Sequence, residues 1–116
     1  MAVRRVVPNL FVANPVETRD FYVDVFDFDV AMDLGWIVTL ASPQNHGAQL
    51  SVFEPDAERG RDPFVSIEVD DVDAVHARAV DRGQEIVYEL RDEPWGVRRF
   101  MLRDPSGRVV NVLTHP

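Results

Sequence analysis

The chain says the same thing twice. A strand–helix–three-strand pattern reads from about Arg4 to Glu54 and again from about Phe64 to His115. Asn14-Pro15 opens a helix in the first half, and Asp71-Val72 opens one 57 positions after Asn14. Gly47 and Gly107, 60 positions apart, each precede a short strand, AQLSVFE and RVVNVLT. Repetition at this period marks a supersecondary unit that cannot bury its apolar face alone and pairs with a copy of itself. Two facing copies enclose a space, and the side chains lining it decide what the protein can do.

A chain of 116 residues has the length of one domain. The repeat divides it into a first module at about 1–55, a polar linker at 56–62 rich in Pro, Gly and charge, and a second module at about 63–116. No apolar run approaches the roughly 18 residues of a membrane span. The start, MAVRRVVPNLFVAN, lacks the pattern of a signal peptide. With no cysteine there is no thiolate nucleophile, disulfide or Cys-ligated zinc, and a cytoplasmic location is expected. The formal net charge is −8, with −6 on residues 1–58 (three Arg, nine acids) and −2 on residues 59–116 (nine Arg, eleven acids). Such a surface repels phosphate backbones, so no nucleic-acid partner is expected. It reads as a soluble bacterial-type surface, or as one that favours a cationic small molecule.

The first helix has a capping Asn14, Pro15 at its first position and Glu17 where a capping box places an acid. Phe21 with Val25, and Tyr22 with Phe26, recur at i, i+4 as an apolar stripe. The second helix begins at Asp70 or Asp71, carries Val72, Val75, His76 and Ala79 on one face, and stops at Gly83. The strands read by parity, because alternate side chains point to opposite faces. Leu50 and Val52 oppose Gln49, Ser51 and Phe53; Val65, Ile67 and Val69 oppose Phe64, Ser66, Glu68 and Asp70. Val110 and Val112 oppose Val109, Asn111, Leu113 and His115, and in the first strand Val6, Pro8, Leu10 and Val12 oppose Val7, Asn9, Phe11 and Ala13. Each strand thus has an aliphatic face suited to packing under helices and a mixed face of aromatic and polar residues.

The mixed face either meets water, as one side of many antiparallel sheets does, or lines a cavity. Phe11, Phe53 and Phe64 on one face favour the cavity, with Asn9, Ser51, Ser66, Glu68 and Asn111 as its few placed polar groups. Glu68 has three readings: a general base whose pKa is raised by desolvation beside Phe64, a counter-charge for a cationic ligand, or a structural partner of Arg98 or Arg99. Trp95 after Pro94 either closes over a ligand or plugs the end of the sheet. His46, His76 and His115 are scattered, and only His115 shares the face of Glu68.

The tandem βαβββ pattern resembles the vicinal oxygen chelate superfamily, the glyoxalase/bleomycin resistance protein/dioxygenase group. VANPVETRDFY (Val12 to Tyr22) is similar to that family's strand-to-helix opening. Pro94-Trp95-Gly96, Arg99-Phe100 and Arg103-Asp104-Pro105-Ser106-Gly107 resemble its PWG…F…DP.G ending, with bleomycin-resistance-type binding proteins the nearest in kind. The resemblance implies an α+β fold in which two tandem βαβββ modules form a cupped, barrel-like mixed sheet around a ligand, and it implies a homodimer. Enzymes of the family hold a divalent metal with His, Glu or Gln. The matching positions here are Val7, Ser51, Phe64 and Asn111, a poor donor set, so no metal and no cofactor is expected.

The resulting expectation is metal-independent binding of a small organic molecule, cationic or aromatic, such as a bleomycin-type antibiotic. Asn9, Phe11, Ser51, Phe53, Phe64, Ser66, Glu68, Trp95, Arg99 and Asn111 are the candidate ligand contacts. Two alternatives stay open: a metal-dependent lyase or dioxygenase of the glyoxalase type, and a metal-free enzyme with Glu68 as its catalytic base.

Overall fold

The structure, a computed structural model of the chain, describes residues 2–55 and 62–116. Of the linker expected at 56–62, residues 56–61 lie outside the described residues. Among the described residues the elements run β1 (Val3–Phe11), α1 (Pro15–Phe26), β2 (Asp29–Asp33), β3 (Ile37–Ala41), β4 (Gln49–Phe53), β5 (Val65–Val69), α2 (Val72–Arg82), β6 (Ile86–Asp92), β7 (Arg98–Arg103) and β8 (Val109–Thr114). The βαβββ pattern is therefore present twice, and the fold is α+β. The chain divides into two compact units, Val7–Asp56 and Met1–Val6 with Ala57–Pro116. The division falls inside β1.

In the Val7–Asp56 unit the strands lie in the order β2-β3-β4-β1. β1 and β4 are parallel, and the other two pairings are antiparallel. α1 starts where its sequence says: the Asn14 side chain accepts from the Glu17 N–H at 3.1 Å, and Pro15 opens the first turn. It ends at Asp27, whose left-handed backbone (φ 60°) sends its N–H to the Val23 carbonyl. Val38, Leu40 and Val52 form the core under this helix, joined by Tyr22, Val23, Phe28, Leu50 and Val12. Only part of the expected apolar stripe faces that core. Tyr22 does, whereas Phe21, Val25 and Phe26 are each more than half exposed. The i, i+4 rows of Phe21 and Tyr22 are about 100° apart on a helix, and one core cannot cover both.

In the other unit the order is β5-β8-β7-β6, with β5 and β8 parallel and the rest antiparallel. Asp71 caps α2, its carboxylate accepting from the Ala74 N–H at 3.1 Å, and Gly83 (φ 80°) closes it. Val69, Val72, Ala79, Phe100 and Val112 make the core, with Ile67, Val75, Ile86, Leu90, Leu102 and Val110 packed on it. Parity is obeyed in both units: the aliphatic faces of β4, β5 and β8 are the ones beneath the helices.

Candidate functional site

Two polar and aromatic patches occupy the mixed faces, one in each unit. In the Val7–Asp56 unit the register aligns Asn9 with Ser51 and Ser51 with Thr39, so three short polar side chains form one row across β1, β4 and β3. All three are buried, and Ser51 Oγ lies 3.0 Å from Thr39 Oγ1. Two residues further along, Phe11 and Phe53 stack with centroids 5.1 Å apart and planes inclined by 24°. Trp36 adjoins Phe53 at 6.0 Å. The row is thus bounded on one side by an aromatic shelf, an arrangement suited to a flat ligand with one polar edge.

In the other unit Ser66 and Asn111 are register partners on β5 and β8, and Asn111 Nδ2 donates to Ser66 Oγ at 3.1 Å. Asn111 Oδ1 is buried and accepts no hydrogen bond among the described residues. Phe64, at the start of β5, is 57% exposed, with the Arg108 guanidinium 4.7 Å over its ring. Glu68 meets its partners on the same face: Arg5 Nε at 2.7 Å and His115 Nδ1 at 3.0 Å. Two expectations for Glu68 need correction. Its structural partner is Arg5 rather than Arg98 or Arg99; Arg98 pairs with Asp73 and Asp92, and Arg99 with Glu93. Nor is its pKa raised. Burial pushes it upward, but the His115 hydrogen bond and the Arg5 charge outweigh burial and hold it below the usual carboxylate range. A carboxylate so stabilised is a weak base, and most of its charge is already spent on Arg5.

The feature that sequence reasoning missed is Glu93. Glu93-Pro94-Trp95-Gly96 is the turn between β6 and β7: the Gly96 N–H reaches the Glu93 carbonyl at 3.1 Å, and the Glu93 N–H reaches the Val97 carbonyl at 2.7 Å. Proline presets the second turn position, and Gly96 (φ 94°) supplies the left-handed residue that returns the chain to β7. The Glu93 side chain is only 1% exposed. Its carboxylate accepts from Arg91 Nε at 2.6 Å, Arg99 Nε at 2.9 Å and Tyr88 Oη at 2.8 Å, and Arg99 Nη2 is at 2.7 Å. Burial works against its charge, but these donors prevail and its pKa also lies low. Arg99 sits over two rings, Tyr88 at 4.8 Å and Trp95 at 5.0 Å, and Arg91 lies over Tyr88 at 4.6 Å. The pairing of β6 with β7 slips between Tyr88 and Arg91, and that irregularity lets residues three apart both reach Glu93.

The four positions expected from the resemblance to match the family's metal ligands carry side chains that do not fit a metal. Val7 is a buried hydrocarbon, and Phe64 offers only its ring. Ser51 is engaged with Thr39, and Asn111 with Ser66. Glu68 and His115 do meet, but the third member of their cluster is a guanidinium, which repels a cation. Among the described residues no three His, Cys, Asp or Glu side chains converge. His76 belongs to the core, its ring edge-on to Phe100 at 4.9 Å. No helix is long and apolar enough to cross a membrane.

Comparison with known proteins agrees with the fold. A family model described as the Glyoxalase/Bleomycin resistance protein/Dioxygenase superfamily matches residues 4–112. An uncharacterized protein of Mycobacterium bovis is 29% identical over 118 residues, covering 86% of this chain and 76% of that protein. A superfamily member from Vibrio splendidus has a crystal structure that superposes with a TM-score of 0.72 at 21% identity, covering 97% of this chain and 99% of that one. Methylmalonyl-CoA epimerase from Streptomyces coelicolor superposes with a TM-score of 0.67 at 19% identity, covering 97% and 95%. At these identities the two structures attest to the fold alone.

Proposed function

Because the chain belongs to the glyoxalase/bleomycin resistance protein/dioxygenase superfamily, we propose that it uses the mixed faces of its sheets to bind a small organic molecule without a metal ion. One point supports the reading: Val7, Ser51, Phe64 and Asn111, which the resemblance assigns to the positions where the family's enzymes chelate, include no good ligand for a divalent metal. In each unit the side chains suit adhesion rather than bond breaking. In the Val7–Asp56 unit Phe11 and Phe53 offer flat apolar contact and Asn9 and Ser51 polar edges; in the other, Trp95 offers the apolar contact and Ser66 and Asn111 the polar edges. Sequestration needs affinity only. A catalytic role for Glu68 is not part of the proposal, since Arg5 and His115 occupy its two carboxylate oxygens and lower its basicity. A homodimer is: β2 is exposed along all five residues, and an edge strand of that kind invites pairing.

The test is a titration of protein purified without chelator and then treated with EDTA. Tryptophan fluorescence and thermal midpoint are followed against a bleomycin-type antibiotic and a panel of neutral, cationic and anionic aromatic compounds. A saturable response in metal-free protein supports the proposal. Stoichiometric Ni, Zn, Fe or Mn in the purified protein, or a response that requires added metal, overturns it.

A further inference from the structure

We infer that the β6–β7 hairpin is an oxyanion site and that the bound molecule is an aromatic acid, its carboxylate taken by Arg91 and Arg99 and its ring set against Trp95. This rests on the small-molecule reading and adds the ligand's charge and class to it.

The charge follows from a count of groups on this face. Glu93 is one carboxylate shared by two guanidinium groups, which leaves one positive charge in excess. Glu68 adds nothing to offset that excess, because Arg5 is its ion-pair partner at 2.7 Å. A cationic ligand placed against the two guanidinium groups would meet repulsion; of the other carboxylates on β6, Asp92 pairs with Arg98 and Glu89 is exposed.

The geometry follows from which nitrogens Glu93 occupies. It takes Nε of Arg91, and Nε and Nη2 of Arg99. Both Nη atoms of Arg91 and the Nη1 of Arg99 thus lie outside the set that Glu93 takes, while Tyr88 lies against the Arg91 guanidinium. Arg91 is 61% exposed in its side chain. A buried anion that grips arginines from behind leaves their outer N–H groups preset for an external oxyanion. Glu93 is therefore a positioning residue, and the two arginines are the binding pair. Tyr88 stiffens the arrangement, because both guanidinium planes lie near its ring.

The aromatic component follows from Trp95. It is 48% exposed at the tip of the turn, with Arg99 5.0 Å from its ring. A carboxylate on the Arg pair places its attached ring next to the indole. Carboxylate fits better than a tetrahedral anion, since two coplanar oxygens match the fork of a guanidinium.

The experiment uses the full chain labelled with 15N, titrated separately with benzoate, benzylamine and inorganic phosphate while the Arg Nε–H and Trp indole N–H signals are recorded. Benzoate is expected to shift the Arg91, Arg99 and Trp95 signals saturably, benzylamine to leave them in place, and phosphate to bind several-fold more weakly than benzoate. Arg91→Gln is expected to weaken benzoate about tenfold, the loss of one charged hydrogen-bonding partner, and to lower the thermal midpoint while keeping a cooperative transition, because the buried Glu93 carboxylate keeps Arg99 and Tyr88 as donors. Absence of saturation with benzoate overturns the assignment, as does equal binding of benzylamine or an unchanged affinity in Arg91→Gln. Equal binding of phosphate overturns its aromatic part. Saturation by a cationic or neutral ring compound, but not by benzoate, overturns the acid while leaving small-molecule binding intact; no response to any compound removes both.

Discussion

At the scale of single residues, two glutamates on one sheet face show how little an isolated letter reveals. Glu68 was legible as a polar group on the mixed face, because β5 is regular and alternation holds along it. Its partner was not, because Arg5 lies 63 positions away in sequence. Glu93 gave no periodic signal at all; its burial depends on a turn and on a slip in strand pairing. Both carboxylates have depressed pKa values in the folded chain, so each stabilises the fold at neutral pH and loses that contribution as pH falls through the ordinary glutamate range near 4.5 toward the lower folded value. Glu93→Gln is expected to cost about 2–4 kcal/mol at pH 7, since it leaves partly buried arginines without their anion. The gap to the parent protein should narrow as pH falls below the ordinary glutamate value of 4.5 toward the lower folded value, where the parent's own carboxylate protonates. Urea unfolding at several pH values measures both effects, and a pH-independent gap would contradict the account.

At the scale of elements, the two helices and the strands β4, β5 and β8 were readable because each combines a clear period with clear ends. Asn14 and Asp71 cap as their positions suggest, and Gly83 ends α2. β6 resisted, because its pairing with β7 shifts twice and alternation fails across each shift. The repeated turns have one design. Asp104-Pro105-Ser106-Gly107 closes β7 onto β8 with Gly107 at φ 90°, as Glu93-Pro94-Trp95-Gly96 closes β6 onto β7 with Gly96 at φ 94°. Gly96→Ala should therefore cost about 1–2 kcal/mol from backbone conformation alone, since an added Cβ meets nothing within 4 Å. Gly47→Ala is the control. Gly47 is not at positive φ, and its Cβ would lie 3.4 Å from Asn45 Oδ1, so the change should be nearly neutral. Thermal denaturation of the pair separates conformational cost from steric cost.

At the scale of the whole molecule, the duplication and the family ending fixed the architecture in advance, whereas composition says little about a ligand's charge. The net charge of −8 coexists with a local pair of arginines, the exposed Arg91 and the Arg99 beside it, that share a single glutamate. Bulk charge averages over a surface, and recognition is decided within a few ångströms. The unsuitable donor set carries a prediction of its own: saturating Ni, Zn or Mn should leave the thermal midpoint unchanged, since only a ligand that prefers the folded state raises it. An upward shift that EDTA reverses would show a chelating site in the molecule.

The division of the chain inside β1 has a consequence for the second repeat. The first half of β1 belongs with it, and there Arg5 neutralises Glu68 while the Ala2 N–H bonds the Asp70 carboxylate at 2.7 Å. A polypeptide holding residues 63–116 by itself would lack that guanidinium and leave the Glu68 carboxylate with His115 alone. Severing the chain between its copies therefore strands a charge whose counter-ion stays with the other piece.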